Sequence, residues 1–451
     1  MKYMILLPLG LLLFLQLETR SQGAMPAPPE GRWLLIADLT GGKYHLPVEI
    51  VRQGKGGISA TALGSGVKFS GAEFKNGRLT LKGTASTLGA IEIRGLVNGA
   101  RMQGDWRAGS QRGRIVGERQ EANSSPQLRL KVFDEVWQTI DKEYFDPTFN
   151  GVDWQAVQAR YRPEAQNLQN DSELLRIVRG MLNELRTSHL WFSLLDAEEA
   201  YVSDPVGAAE NGPITASKSI TWRHLSPVTG YIKISSFTEG AEFLQLIDRA
   251  FEELGNVPAL VIDLRDNGGG SLNGAMRLGD HLFDQPRPVG SFATRAALEH
   301  RKLTSIDQMD AAELPVYSGY DMDGFRSMLR EKGALTLVTG GRAKPPYRGK
   351  LIVMINRVTA SAAEAVAAVF QELRLAVVVG PRPTAGKMLS SRQVKLTGGW
   401  TLTLPEADFR TPNGVRLEGI GVKPDIVVKP ASSSEDVPLN EASKLAERLL
   451  R

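Results

Sequence analysis

Four short segments hold residue types able to do chemistry. In INRVTASAAEAVAAVF, residues 355–370, a strand-like run passes through Thr359, Ala360 and Ser361 into an alanine-rich helix that begins just after the serine. A hydroxyl there sits at a helix N-terminus, where unpaired N–H groups stabilise developing negative charge; a nucleophile and a plain N-cap both fit that position. In LVIDLRDNGGGS, residues 260–271, a buried strand runs into three consecutive glycines ahead of an apparent helix. Glycines let backbone N–H groups approach a ligand, but the segment has neither the Lys-Ser/Thr ending of a P-loop nor the dinucleotide spacing, so an amide-lined turn and an empty tight turn stay open. ELRTSHLWFSLL, residues 184–195, places Ser188 and His189 before a strand-like run, and TPNGVRLEGIGVKPDIVV, residues 411–428, holds Glu418 between turn residues. His189 is the best general base in the sequence, because His45, His224, His281 and His300 stand apart from any motif. Glu418 could orient it or be a solvated loop carboxylate.

Composition narrows the chemistry. The chain has 451 residues and no cysteine, which excludes thiol catalysis, disulfides and zinc-thiolate sites, and its five histidines are too scattered for a metal cluster. Any nucleophile is oxygen or nitrogen, and no metal or organic cofactor is expected. The net charge of +4 is spread in both signs without basic blocks, so nucleic acid is not an expected partner. After Met1-Lys2-Tyr3 comes an apolar run from Met4 to Leu15, broken by Pro8 and Gly10 and followed by the polar Gln16 to Gly23. That is the anatomy of a signal peptide, taken here as residues 1–24, and it is short of the roughly 20 apolar residues a spanning helix needs. The expected mature protein is soluble, without a membrane span, and exported to the periplasm or the cell exterior.

The elements that must position the four segments follow from periodicity. Residues 25–120 alternate apolar and polar, as at Leu46, Val48 and Ile50, with Asn76-Gly77 and Asn98-Gly99 as hairpin turns. They predict a small antiparallel all-β meander, a barrel or sandwich, expected to serve binding or docking. A polar linker, 121–127, precedes helical spacing at Val132, Phe133, Val136, Trp137 and Ile140, and residues 128–200 form a helical part. From 201 to 429, strands at Gly230–Phe237, Ala259–Leu264, Leu351–Ile355 and Ala376–Val379 alternate with helices, which predicts an α/β core. An insertion at about 285–345 is expected to cover a cleft, and 430–451 is a Ser-rich link with a final helix over Asn440–Leu450.

These segments, with Thr384-Ala385-Gly386-Lys387 and the Gly-x-x-Pro-Asp ending at 421–425, stand in an order that resembles the C-terminal processing, or tail-specific, proteases and the core of the tricorn protease. The resemblance runs from about Val132 to Val428 and implies an α/β core of the ClpP/crotonase-like type, built of repeated strand-strand-helix units, and hydrolysis of peptide or unfolded protein substrates. It implies Ser361 as nucleophile and the amides of Ala362 and Gly269 as oxyanion hole. In the tricorn-like branch a His preceded by Ser is the base, oriented by a Glu, which implies His189, Ser188 and Glu418. In the processing branch the base is a lysine, matched by Lys387, but Ser391 stands where that branch has Gln. A PDZ domain usual in the family has no room between the His segment and Gly230. The same scaffold also resembles interphotoreceptor retinoid-binding protein, which leaves a ligand-binding protein as the rival reading. A histidine base of ordinary pKa, near 6.5, implies activity rising through roughly pH 6 to 7.

Overall fold

The computed structural model describes residues 28–39, 42–54, 56–64, 66–85, 88–120, 125–194, 216–254, 256–341, 346–429 and 436–450. The expected signal peptide and parts of both expected links, 121–124 and 430–435, lie outside them. Among the described residues no helix is long and apolar enough to cross a membrane.

Strands β1 (Gly31–Leu39), β2 (Gly42–Gln53), β3 (Gly57–Ala62), β4 (Val67–Lys75), β5 (Arg78–Ala85), β6 (Gly89–Asn98), β7 (Arg101–Ala108) and β8 (Gln111–Arg119) make one antiparallel sheet in the order β3-β2-β1-β8-β7-β6-β5-β4. Its terminal strands β3 and β4 come together without pairing, so the sheet curls almost into a barrel around Trp33, Leu35, Val48 and Leu81. The predicted meander is thus present. Asn76 and Gly77 both take positive φ in a two-residue turn, as expected. The other hairpin turns one residue later than expected, because Asn98 pairs with Arg101 and leaves Gly99 and Ala100 at the tip.

A helix spans Pro126–Glu143. It starts inside the expected linker because the Ser125 side chain caps the Leu128 N–H and Pro126 occupies the first turn, where a missing N–H costs nothing. Helices Trp154–Ala165 and Asp171–Asn183 complete this layer, which ends in the short strand β9 (Trp191–Ser193). The barrel is docked onto it by charge. Arg32, pairing with Asp171, and Glu49, accepting from the Asp171 N–H (3.0 Å) and the Ser172 N–H (2.6 Å), together hold the N-terminus of the Asp171–Asn183 helix.

The α/β core has two sheets. β10 (Ile220–Ser226), β11 (Thr229–Ile234), β12 (Ala259–Asp263), β16 (Lys350–Met354), β17 (Ala376–Gly380) and β20 (Ile426–Val427) form the first in that order, parallel except for β10. The second runs β14 (Val316–Tyr317), β15 (Ala334–Thr339), β13 (Arg287–Thr294), β19 (Thr401–Arg410) and β18 (Leu389–Lys395), with β9 paired to β19. The described residues of the expected 285–345 insertion, 285–341, are therefore not a cover over a cleft. They supply β13, β14, β15 and the helix Met322–Lys332, because Phe292, Ala293, Phe325, Leu335 and Leu337 have apolar partners to bury against. The helix Ala362–Glu372 is buried continuously from Ala362 to Phe370 and packs on β17 of one sheet and β13 of the other.

Arg32→Ala should take one cationic partner from the Asp171 carboxylate, 2% exposed, and cost about 2 kcal/mol. Urea unfolding of the variant checks this, and a loss below about 1 kcal/mol would contradict it.

Candidate active site

Ser361 stands at the entry to the buried helix Ala362–Glu372 with φ 55° and ψ −126°, a conformation that costs a non-glycine residue about 1–3 kcal/mol. A sharp strand-to-helix turn of this kind lifts a side chain out of the backbone, as in a nucleophile elbow. Neighbouring segments hold it there. The Ser361 N–H donates to the Lys387 carbonyl (2.9 Å) and to Glu364 Oε2 (3.1 Å), the Ala360 N–H donates to the Asn267 carbonyl (2.9 Å), and the Ala385 N–H donates to the Thr359 carbonyl (2.9 Å). The amide of Ala362, first in its helix, is one of the donors that a helix N-terminus leaves without an intrahelical partner.

Gly269 abuts the serine. A Cβ on it would lie 2.5 Å from Ser361 Cβ and 2.9 Å from the Ala360 carbonyl oxygen, and its φ of 101° suits glycine alone. Its own N–H, however, donates to Oδ1 of the buried Asn267 at 2.8 Å. The Gly-rich turn thus lies beside Ser361 as expected, while the Gly269 amide is engaged within the turn in this conformation.

On the other side, Glu418 is 9% exposed and gathers donors from two segments. Oε1 accepts from the Ser188 N–H (2.8 Å), and Oε2 accepts from the Ser188 hydroxyl (2.8 Å) and the Met388 N–H (2.9 Å). It is no solvated loop carboxylate. Because the one hydroxyl proton of Ser188 goes to Glu418, the 2.7 Å contact between Ser188 Oγ and His189 Nδ1 must carry the imidazole proton. Nδ1 is then the donor and Nε2 holds a free lone pair. Burial, and next the like charge of Lys387, lower the His189 pKa to about 4. The half-exposed Trp191 ring stacks beside the imidazole, with centroids 6.2 Å apart.

Ser188, His189 and Glu418 therefore form one hydrogen-bonded chain, and the Lys387–Met388 peptide joins it to Ser361, since its carbonyl accepts from the serine amide and its N–H donates to Glu418. No direct hydrogen bond among the described residues links His189 to Ser361. The Lys387 side chain is exposed at the edge of the site. Among the described residues no group of three or more His, Cys, Asp or Glu could hold a metal ion.

Glu364 was not singled out in the sequence. Fully buried, it accepts from the Thr384 hydroxyl (2.5 Å), the Gly386 N–H (2.7 Å), the Lys387 N–H (2.8 Å) and the Ser361 N–H (3.1 Å). Burial raises its carboxyl pKa above the ordinary value against the pull of those donors. The signal was present as Ser361-x-x-Glu364, the spacing of a capping box.

Residues 228–428 match peptidase family S41, and residues 126–183 match the tricorn protease C1 domain. Over 203 residues the chain is 29% identical to a chloroplastic C-terminal processing peptidase of Tetradesmus obliquus, covering 45% of this chain and 35% of that protein. Over 205 residues it is 30% identical to a carboxy-terminal-processing protease of Bartonella bacilliformis, covering 44% and 38%. The chain thus spans little more than a third of the length of these relatives. A Parabacteroides merdae crystal structure, provisionally assigned as a peptidase, superposes with TM-score 0.51 at 20% identity over 72% of this chain and 97% of that one, a likeness of fold.

Glu364→Ala should strand three buried or half-buried donors, on Thr384, Gly386 and Lys387, and destabilise the protein by about 3 kcal/mol or more. Glu364→Gln, which keeps an acceptor oxygen, should cost less, and urea unfolding of the pair checks the order.

Proposed function

From a chain whose residues 228–428 belong to peptidase family S41, we propose a serine endopeptidase in which Ser361 is the nucleophile, His189 the base, and Glu418 acts on His189 through Ser188. The observation that carries this reading is the direction of the Glu418–Ser188–His189 hydrogen bonds, which leaves His189 Nε2 as an acceptor. Ser361 Oγ attacks the peptide carbonyl as its proton passes to Nε2. The carbonyl π electrons move to oxygen, where the Ala362 N–H at the helix N-terminus receives the negative charge. Gly269 supplies the second donor once the substrate oxygen replaces Asn267 at its amide. Nε2 then protonates the leaving amine, and water, activated by the same nitrogen, hydrolyses the acyl-enzyme. Glu418, held by Ser188, offsets the positive charge of the imidazolium between the steps.

Lys387 is the weaker base. A lysine base must be kept neutral, and burial is the usual means, whereas Lys387 is exposed and its charge is felt at His189. Substrates are peptides or unfolded proteins, and the apolar run Met4–Leu15 supports export.

Ser361→Ala should abolish turnover and fluorophosphonate labelling while the fold persists. His189→Ala and Glu418→Ala should each lower kcat by at least about a hundredfold, and Lys387→Ala only modestly. A dead Lys387→Ala with a near-normal His189→Ala would assign the base to the lysine, and an inert wild type would favour the ligand-binding reading.

The pH profile is a separate test. His189 accepts a proton only when neutral, so with its pKa near 4 the acid limb of kcat/KM should rise through about pH 4 and be flat at neutrality, instead of rising between 6 and 7. Removing the like charge in Lys387→Met raises the histidine pKa and should move that limb to higher pH. A wild-type limb between pH 6 and 7 would count against a buried, lysine-flanked base.

A further inference from the structure

His189 lies two residues before β9, so what fixes β9 fixes the imidazole. One edge of β9 pairs with β19, Trp191 opposite Thr403 and Ser193 opposite Thr401. The segment is also held by the barrel. The Leu194 N–H donates to the Leu63 carbonyl at 3.2 Å. Nη2 of Arg179 donates both to the Gly64 carbonyl (3.0 Å) and to the Phe192 carbonyl (3.4 Å), bridging the barrel to β9 with one nitrogen. Leu63, fully buried, belongs to the core of Leu185, Phe192 and Leu402 rather than to the barrel interior. The barrel thus inserts one side chain under the strand that follows the histidine.

The chemistry of Arg179 points to placement rather than to stability. Its guanidinium bonds carbonyl oxygens, forms no ion pair among the described residues, and has its pKa lowered by burial. A partly desolvated cation with only neutral acceptors gains little stability from its contacts. What it does provide is a fixed fork between two backbones. The Arg179 helix is itself anchored to the barrel at its other end through Arg32–Asp171 and Glu49. Both ends of the path from Asp171 to β9 are therefore tied to the barrel, with Ser188 and His189 between the second tie and the end of the helix.

We propose that Arg179, clasping Gly64 and Phe192 while Leu63 packs beneath, is a positioning residue for His189, and that the β barrel is a fixed part of the catalytic unit rather than a separately moving capture module. The proposal rests on His189 as the base. A misplacement of about 1 Å can cost a reaction about a hundredfold, so a loosened clasp acts on kcat before it acts on substrate binding.

The test uses the full chain, with active sites counted by fluorophosphonate so that unfolded molecules drop out. Arg179→Met, which keeps length and loses the donors, should lower kcat per labelled site by at least about tenfold with KM within about twofold. Arg179→Lys, able to reach one carbonyl, should recover most of that loss. Leu63→Val, a milder change for the event that Arg179→Met does not fold, should lower kcat per site in the same direction. Wild-type kcat per site in Arg179→Met, or in Leu63→Val where the arginine variant is unfolded, overturns the clasp. So does a lysine variant as impaired as the methionine one. Failure of the parent reading looks different, because His189→Ala would then keep near-normal turnover whatever the Arg179 variants do.

Discussion

The carboxylate of Glu418 is the contact on which the site depends. It takes the amide and hydroxyl of Ser188 and the amide of Met388, and so ties a loop of the helical layer to the turn that feeds β18. Charge-assisted bonds of this kind are stronger than neutral ones, and three of them on one buried carboxylate leave its neighbours little freedom. The strain at Ser361 is held from the same turn. The carbonyl of Lys387 receives the serine amide, and the N–H of the same peptide, on Met388, goes to Glu418. Ser361 and the Glu418–Ser188–His189 chain thus share a single stretch of backbone.

That stretch, Thr384 to Met388, is suspended between two carboxylates. Glu364 binds its first part at Thr384, Gly386 and Lys387, and Glu418 binds its last residue. One carboxylate rides on the helix that Ser361 begins, and the other bonds the loop of His189. The distance between Ser361 and His189 is therefore set by a short bridge pinned at both ends, and glycine at 386, with φ 66° against the backbone of Gly419 and Ile420, lets the bridge pass where a side chain would collide. A core helix buried along nearly its whole length fixes the rest.

Much of this was legible in the residues. Strand-turn-helix signals placed Ser361 and the three glycines, alternation disclosed the β meander, and helical spacing found the helical layer from 128 on, two residues after its first helix begins at Pro126. The losses have physical causes. Residues 285–345 read as polar because β13 and β15 are short, Gly290 breaks the alternation, and the helix between them buries only Phe325 and Leu329, so the apolar signal is thin until the second sheet is assembled. Glu364 read as one acid in an alanine-rich helix, since its capping-box spacing points only to Ser361 and its other partners lie about twenty residues on. The Gly269 amide looked free because the side chain that occupies it, Asn267, is two residues away and its rotamer is a tertiary property.

The low pKa of His189 follows first from burial and then from the like charge of Lys387. A carboxylate set directly on an imidazole favours the charged ring and raises its pKa, as Asp248 tends to do for His281. At His189 the hydroxyl of Ser188 is interposed, so the carboxylate reaches the ring through a dipole, and burial followed by Lys387 decides the outcome. In the proposed role, a histidine of this pKa is neutral near pH 7 but accepts its proton with less driving force than one poised near 7. Geometry must then supply what basicity does not. The ring has one proton, committed to Ser188, and one lone pair, and its orientation is fixed by β9, by Ser188 and by the stacked Trp191. For a weak base in the proposed mechanism, close placement has to supply what basicity does not, and Glu418, β9 and Trp191 all converge on the loop of three residues, Thr187 to His189, that would provide it.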